Sequence, residues 1–130
     1  MATNKVESLA IVWLLVENTE RTAAFYRQVL GLELVEERDA GSAEKHYACQ
    51  MGPLRFIIRY SHDVPDAERP RGTDSVELCF TVSDMDGFLQ RLRQMNIEPL
   101  HPPTPFLHTV FTTLRDPDGR SIQIMTPWKE

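Results

Sequence analysis

No hydrophobic run in this sequence is long enough to span a bilayer. LAIVWLLV at 9–16 has eight residues, against the roughly 20 that a helical span requires. A secretory peptide would want a basic start and a small-residue cleavage site after the run, whereas here Glu7 precedes it and Glu17 and Asn18 follow it. The run therefore reads as a buried strand, and the protein as cytoplasmic with no membrane partner. Cysteine is scarce: Cys49 and Cys79 form no metal-ligand spacing, and each lies in a strand-like segment, so both are expected to be reduced, buried thiols. Basic charge is in deficit, with 14 Lys and Arg against 19 Asp and Glu, a formal charge of −5 and a pI near 5.4. That balance argues against nucleic acid and anionic membranes and favours neutral or cationic ligands. Also missing are a glycine-rich phosphate loop, a nucleophile elbow and a Cys–His signature.

What is present suits a soluble globular chain. Hydrophobic residues make up 42% and charged residues 25%, and 130 residues can bury about two-thirds of their unfolded surface without disulfides or metal. The chain repeats itself. LAIVWLLVENTERTAAFYRQVLGLEL (9–34) and SVELCFTVSDMDGFLQRLRQMNIEPL (75–100) run in parallel, each an apolar strand, a capping segment, an amphipathic helix, a stop and a second strand. Asn18 or Thr19 is expected to cap the first helix and Gly31 to end it in the left-handed conformation. In the second copy Ser83 and Asp86 have capping-box spacing and Asn96 takes the glycine's place. Ala23, Phe25, Tyr26, Val29 and Leu30 form one inner stripe; Met85, Phe88, Leu89, Leu92 and Met95 form the other.

Three further strands are expected after each helix: 32–38, 45–51 and 54–60 in the first copy, and 98–101, 108–115 and 120–126 in the second. The fold class is α+β, built from two βαβββ modules (about 8–60 and 75–126) within one domain, 1–130, with the polar, proline-bearing stretch 61–74 as linker. HPPTPF (101–106) reads as a proline-rich loop that cannot join a central ladder. RDPDG (115–119) has the composition of a tight turn, opened by Asp116, pre-set by Pro117 and closed by Gly119.

Strand alternation divides the side chains between two faces. Val12, Leu14 and Val16, Phe56, Ile58 and Tyr60, Leu78, Phe80 and Val82, and Ile122 and Ile124 make one nearly apolar face, which must lie under the helices. The opposite face carries Ile11, Trp13 and Leu15, Arg55, Ile57 and Arg59, Glu77, Cys79 and Thr81, and Ser121, Gln123 and Met125. Half apolar and half polar, it suits the wall of a cavity better than a dry core.

The segments VENTERTAAFYRQVLGLEL, VELCFTVSDMDGFLQRL and LRDPDGRSIQI, in this order, resemble the vicinal oxygen chelate superfamily of glyoxalases, bleomycin-resistance proteins and extradiol dioxygenases. The resemblance covers about residues 8–126. It implies paired modules whose curved mixed sheets form a funnel, commonly in a homodimer. In the family's metal-dependent members the ligands sit on the funnel face of the first and last strand of each module. Those positions here are Ile11, Ile57, Glu77 and Gln123. Two isoleucines cannot donate to a cation, and one carboxylate with one amide falls short of the three protein ligands common in catalytic sites. No metal or other cofactor is therefore expected.

The expected function is binding of a small organic molecule by a metal-independent protein of the glyoxalase/bleomycin-resistance type, with sequestration as one form of it. Trp13, Arg55, Arg59, Glu77, Cys79, Gln123 and Met125 are the candidate binding residues, with Leu15 as further apolar wall. Arg55 and Arg59 either pair with acidic neighbours such as Glu77 or clamp an anionic group. Trp13 is either core or a stacking surface. The rival is a glyoxalase-like lyase, isomerase or dioxygenase. It would use Glu77 as general base or an atypical metal site combining Glu77 with His46 or His108. A third reading is an interaction subunit with a funnel filled by side chains.

Overall fold

In the computed structural model, residues 4–38, 41–42, 44–68 and 76–129 are described. The chain divides into two compact units, 1–69 and 70–130. The first contains β1 (Ile11–Val16), α1 (Thr19–Gln28), β2 (Val35–Glu37), β3 (His46–Met51) and β4 (Leu54–Tyr60). Its sheet has the order β1-β4-β3-β2, with β1 parallel to β4 and the other pairs antiparallel. The second contains β5 (Leu78–Thr81), α2 (Met85–Gln94), β6 (Thr104–Phe106), β7 (Thr109–Arg115) and β8 (Ser121–Met125). Its order is β5-β8-β7-β6, again with one parallel pair, β5 and β8. The α+β class and the doubled strand–helix–three-strand plan are thus those expected. Among the described residues no helix is long and apolar enough to cross a membrane.

Each helix begins and ends for a local reason. The Asn18 side chain accepts from the Arg21 N–H at 3.0 Å, satisfying one orphan donor of the first turn. Beyond α1, Gly31 takes φ +75° and the Leu32 N–H reaches back to the Tyr26 carbonyl at 3.0 Å, closing the helix through a left-handed residue. In α2 the cap is Asp84 rather than Ser83: its carboxylate accepts from the Gly87 N–H at 3.0 Å. A Cβ at position 87 would lie 2.5 Å from Asp84 Oδ2, so the cap depends on the glycine. Asn96 substitutes for glycine at the end of α2, with φ +58°.

The apolar face is the more buried one, as the alternation predicts. Leu14, Val16, Phe56, Ile58, Ile122 and Ile124 are buried, while Val12, Tyr60, Leu78, Phe80 and Val82 toward the strand ends are half-buried. Helix α1 lies against β3 and β4. Tyr26, wholly buried, meets Phe56 with ring centroids 5.5 Å apart. Phe25, Leu30, Leu89 and Met95 of the expected stripes are only half-buried, and Thr19 and Thr22 join the core instead.

Three expectations need correction. The strand at 32–38 shortens to Val35–Glu37: the Leu34 carbonyl, which would serve the ladder, accepts from Arg27 Nε and Nη2 at 3.2 and 2.7 Å. No strand forms at 98–101, and the last edge strand is instead β6, inside the proline-rich stretch. Pro99, Pro102 and Pro103 have no N–H to donate, so one bond, from the Leu100 N–H to the Thr113 carbonyl at 2.9 Å, is the ladder's reach before it resumes at Thr104. Pro105 is tolerated because β6 is the edge. Cys79 is exposed rather than buried, while Cys49 is buried; both are free thiols.

A Cβ at Gly31 would meet nothing within 4 Å, so replacement there strains the backbone alone. Gly31→Val is expected to destabilise the protein by about 2 kcal/mol. Gly31→Asn should recover most of the loss, because asparagine tolerates the left-handed region. Urea denaturation of the two variants checks both outcomes; equal losses would mean that side-chain volume, not φ, is limiting.

Candidate ligand-binding site

The second unit's sheet turns a different face away from its buried isoleucines. Cys79 of β5 sits opposite Gln123 of β8, Gln123 opposite Thr113 of β7, and Phe111 opposite Met125. At the edge Phe106 of β6 faces Thr109 of β7. With Trp128 these residues line a cavity of about 380 Å³: Cys79, Phe106, Thr109, Phe111, Gln123, Met125 and Trp128. That volume lies in the range of small-molecule sites, and so does a lining dominated by aromatic and apolar groups with few polar ones.

Local interactions hold this wall in shape. After β8 the chain keeps to β7, with the Thr126 N–H bonded to the Val110 carbonyl at 3.0 Å and the Lys129 N–H to the His108 carbonyl at 3.1 Å. Trp128 is thereby held against the His108 ring, centroids 5.1 Å apart. His101 supports the other side. Its Nδ1 lies 2.7 Å from the Pro102 carbonyl, which can only accept, so Nδ1 carries a proton, and in the neutral ring Nε2 accepts from the Thr113 hydroxyl at 2.8 Å. The His101 ring meets the Phe111 ring edge-on at 5.0 Å, and Phe111 meets Phe106 edge-on at 6.3 Å. The Thr109 hydroxyl donates to the Thr126 carbonyl at 2.6 Å. Although Cys79 as a residue is exposed, partial desolvation of its thiol against the wall pushes it above its ordinary pKa, and nearby Glu77 pushes it further. Burial also raises Cys49, against the opposing effect of Arg55. Neither is poised as a thiolate nucleophile.

The turn before β8 fixes which side chains reach the cavity. Asp116, buried, accepts the Asp118 and Arg120 N–H groups on Oδ1 at 2.9 and 3.0 Å and Arg120 Nη1 on Oδ2 at 3.0 Å. Gly119 closes the turn at φ +86°, with its N–H on the Asp116 carbonyl at 2.9 Å.

In the first unit the corresponding face is already paired. Trp13 is 49% exposed, with Ile57 beside it on β4. The Arg59 guanidinium lies over its ring, 5.1 Å from the centroid. Arg55 Nη2 contacts both carboxylate oxygens of Glu37, at 2.8 and 3.0 Å, and His46 Nε2 lies 3.5 Å from the same carboxylate. Arg55 thus has an acidic partner, Glu37, which the sequence did not single out. Leu15 is half-buried on β1, and Glu77 is exposed and precedes β5.

Of the sequence-derived candidates, Cys79, Gln123 and Met125 come together around the cavity. Trp13, Arg55 and Arg59 share the first unit's sheet face, and Glu77 lies outside both sets. Phe106, Phe111, Thr109 and Trp128 were missed. Strand alternation could have found Phe111 from Gln123 through the β7–β8 turn, but Phe106 and Trp128 lie in proline-bearing segments where period-two reasoning fails. The positions that the resemblance implies for metal ligands do not suit a cation: Ile11 and Ile57 offer no donor atom, and Ile57 is buried. Among the described residues no three His, Cys, Asp or Glu side chains gather where they could hold a metal.

A family model described as Glyoxalase/Bleomycin resistance protein/Dioxygenase superfamily matches residues 7–124. No curated protein sequence matches. Among solved structures, the chain is similar to an integron cassette protein from the mobile metagenome of V. cholerae, with a TM-score of 0.75, 23% identity, and coverage of 96% of this chain and 98% of that one. It is also similar to a lactoylglutathione lyase from Agrobacterium tumefaciens (TM-score 0.70, 21% identity, 94% and 95% covered). A third is an antibiotic binding protein from Streptomyces sp. CB03234 (TM-score 0.71, 17% identity, 94% and 97% covered). At these identities the likeness establishes the fold.

The thiols test the cavity's accessibility. In the native protein an aromatic disulfide reagent should modify Cys79 and spare Cys49 until denaturant is added. Because the raised pKa leaves little thiolate at neutral pH, the Cys79 rate should be slower than that of a free thiol and still rising above pH 9.0. Fast modification of both at neutral pH would contradict the placement of either.

Proposed function

We propose that this chain, which belongs to the Glyoxalase/Bleomycin resistance protein/Dioxygenase superfamily, holds a small organic molecule in the cavity of its second sheet and does so without a metal ion. The cavity carries the reading: about 380 Å³ bounded by three aromatic rings, a methionine, a thiol, a threonine and one amide. Burying a ligand's apolar surface against such a wall is favourable at roughly 25 cal/mol per Å². The rings supply broad, rigid contact area at small entropic cost. Holding a ligand requires no nucleophile, and the Cys79 thiol, its pKa raised rather than lowered, is a poor one. A similar fold in an antibiotic binding protein supports sequestration as the biological form of this binding. The acidic balance of the chain leaves nucleic acid out of the proposal, which also includes a cytoplasmic location.

Binding is tested by a thermal-shift screen of neutral aromatic molecules of antibiotic size in the presence of a chelator. A ligand of the cavity raises the melting temperature with concentration and protects Cys79 from the thiol reagent. Met125→Lys places an unpaired charge on the wall and should weaken binding at least about tenfold. Arg59→Ala, on the first unit's sheet, should leave it within about twofold. Loss of binding with the chelator, or sensitivity to Arg59 instead of Met125, would move the site. Turnover of a glutathione hemithioacetal or a catechol by the purified protein would replace holding by catalysis.

The proposal extends to a homodimer, the assembly that the family resemblance implies. Sedimentation equilibrium at micromolar concentration should return twice the 15.0 kDa chain mass; a monomer mass would remove the dimer without touching the cavity.

A further inference from the structure

The cavity wall is uneven in its hydrogen-bonding capacity, and the unevenness points to a ligand class. Apart from the thiol, its polar side chains are Thr109 and Gln123, and only Thr109 is committed within the protein. The Thr109 hydroxyl is bonded to the Thr126 carbonyl at 2.6 Å, with the Thr126 hydroxyl 3.0 Å away. Thr113, next to Gln123 across the strand pair, is taken by His101 at 2.8 Å. Gln123 differs. It stands between Cys79 and Thr113 in the sheet, lines the cavity, is only partly exposed, and its carboxamide makes no hydrogen bond within the described residues. A carboxamide carries a two-proton donor and an acceptor side by side. Leaving it unpaired against a bound apolar molecule would cost desolvation without return.

The wall also carries no charge. None of its seven residues is ionic at neutral pH, and the thiol stays protonated. The nearest charged neighbours in sequence, Glu77 and Lys129, are exposed. An ionised group entering the cavity would lose its hydration and gain no counter-ion from the seven wall residues themselves. The rings of Phe106, Phe111 and Trp128 favour a flat molecule.

We infer that the cavity selects an uncharged, flat molecule with a donor and an acceptor adjacent on one edge, as in a lactam, imide or secondary amide held cis, paired with the Gln123 carboxamide through two hydrogen bonds. Gln123 is then the specificity-determining residue, and the aromatic rings supply affinity common to any flat ligand. This inference rests on the cavity being the binding site, and the test separates the two.

The probes are 2-quinolinone, with a lactam edge, quinoline, with an acceptor alone, and 2-naphthoate, which is anionic. Their dissociation constants are measured by calorimetry at neutral pH with the full-length protein. 2-Quinolinone should bind about tenfold more tightly than quinoline, the worth of one well-made hydrogen bond left unmade otherwise, and 2-naphthoate most weakly. Gln123→Leu should remove this difference, weakening 2-quinolinone about tenfold more than quinoline, because the lactam loses two hydrogen bonds and quinoline one. Gln123→Glu should shift preference to protonated 2-aminoquinoline, whose two donors match a carboxylate. The variants' far-ultraviolet spectra and melting temperatures show whether each is folded, and the Glu variant's gain of a ligand cannot arise from unfolding. Equal affinities for 2-quinolinone and quinoline in the unmutated protein, or tightest binding of 2-naphthoate, would overturn the inference and leave the cavity as a site. No binding by any probe would overturn the cavity reading itself, and the inference with it.

Discussion

A slip of one residue between β7 and β8 would carry Gln123 and Met125 to the helix side and Ile122 and Ile124 into the cavity, because the side-chain period of a strand is two. The Asp116 turn sets this register. One buried carboxylate collects two backbone N–H groups and the Arg120 guanidinium, while Gly119 supplies the left-handed residue that returns the chain. A carboxylate so buried is tolerated only because its oxygens are bonded. The rest of the site follows from that register: Cys79 beside Gln123, Phe111 beside Met125, and a wholly buried Ile122 beneath them.

The two sheets share a plan and differ in how their second faces are satisfied. In the first unit, charged groups meet one another: Arg55 and His46 converge on Glu37, and Arg59 covers Trp13. These partly exposed pairs are individually worth little to stability, but they leave those cations less available to a ligand. In the second unit the side chains that line the cavity are neutral, and one amide stays unmatched. A face whose polar groups satisfy each other is a finished surface, whereas an unmatched amide in an apolar hollow is an incomplete one that a ligand can complete.

The four positions that the family resemblance implies for metal ligands differ among themselves in the same way. Ile11 and Ile57 carry branched hydrocarbon with no donor atom, and Ile57 is buried in the first sheet. Glu77 is exposed ahead of β5. Gln123 alone keeps a polar group inside a cavity, and its chemistry there is that of hydrogen bonding.

Local patterning in the sequence was enough to determine the doubled strand–helix–three-strand plan, the left-handed residues Gly31 and Asn96, the Asp-Pro-Asp-Gly turn, and which strand faces lie under helices. Each depends on interactions within a few residues or on a strict period, and both are written along the chain. The same alternation placed Cys79, Gln123 and Met125 on one face. It could not supply Phe106 and Trp128, because prolines break the period around them and only pairing along β7 brings them to the wall. Nor could it choose Glu37 as the partner of Arg55, 18 residues away in sequence, or show that His101 consumes the Thr113 hydroxyl while Gln123 is left unpaired. Which polar group is satisfied and which is not depends on contacts between distant segments, and only the folded chain brings those segments together.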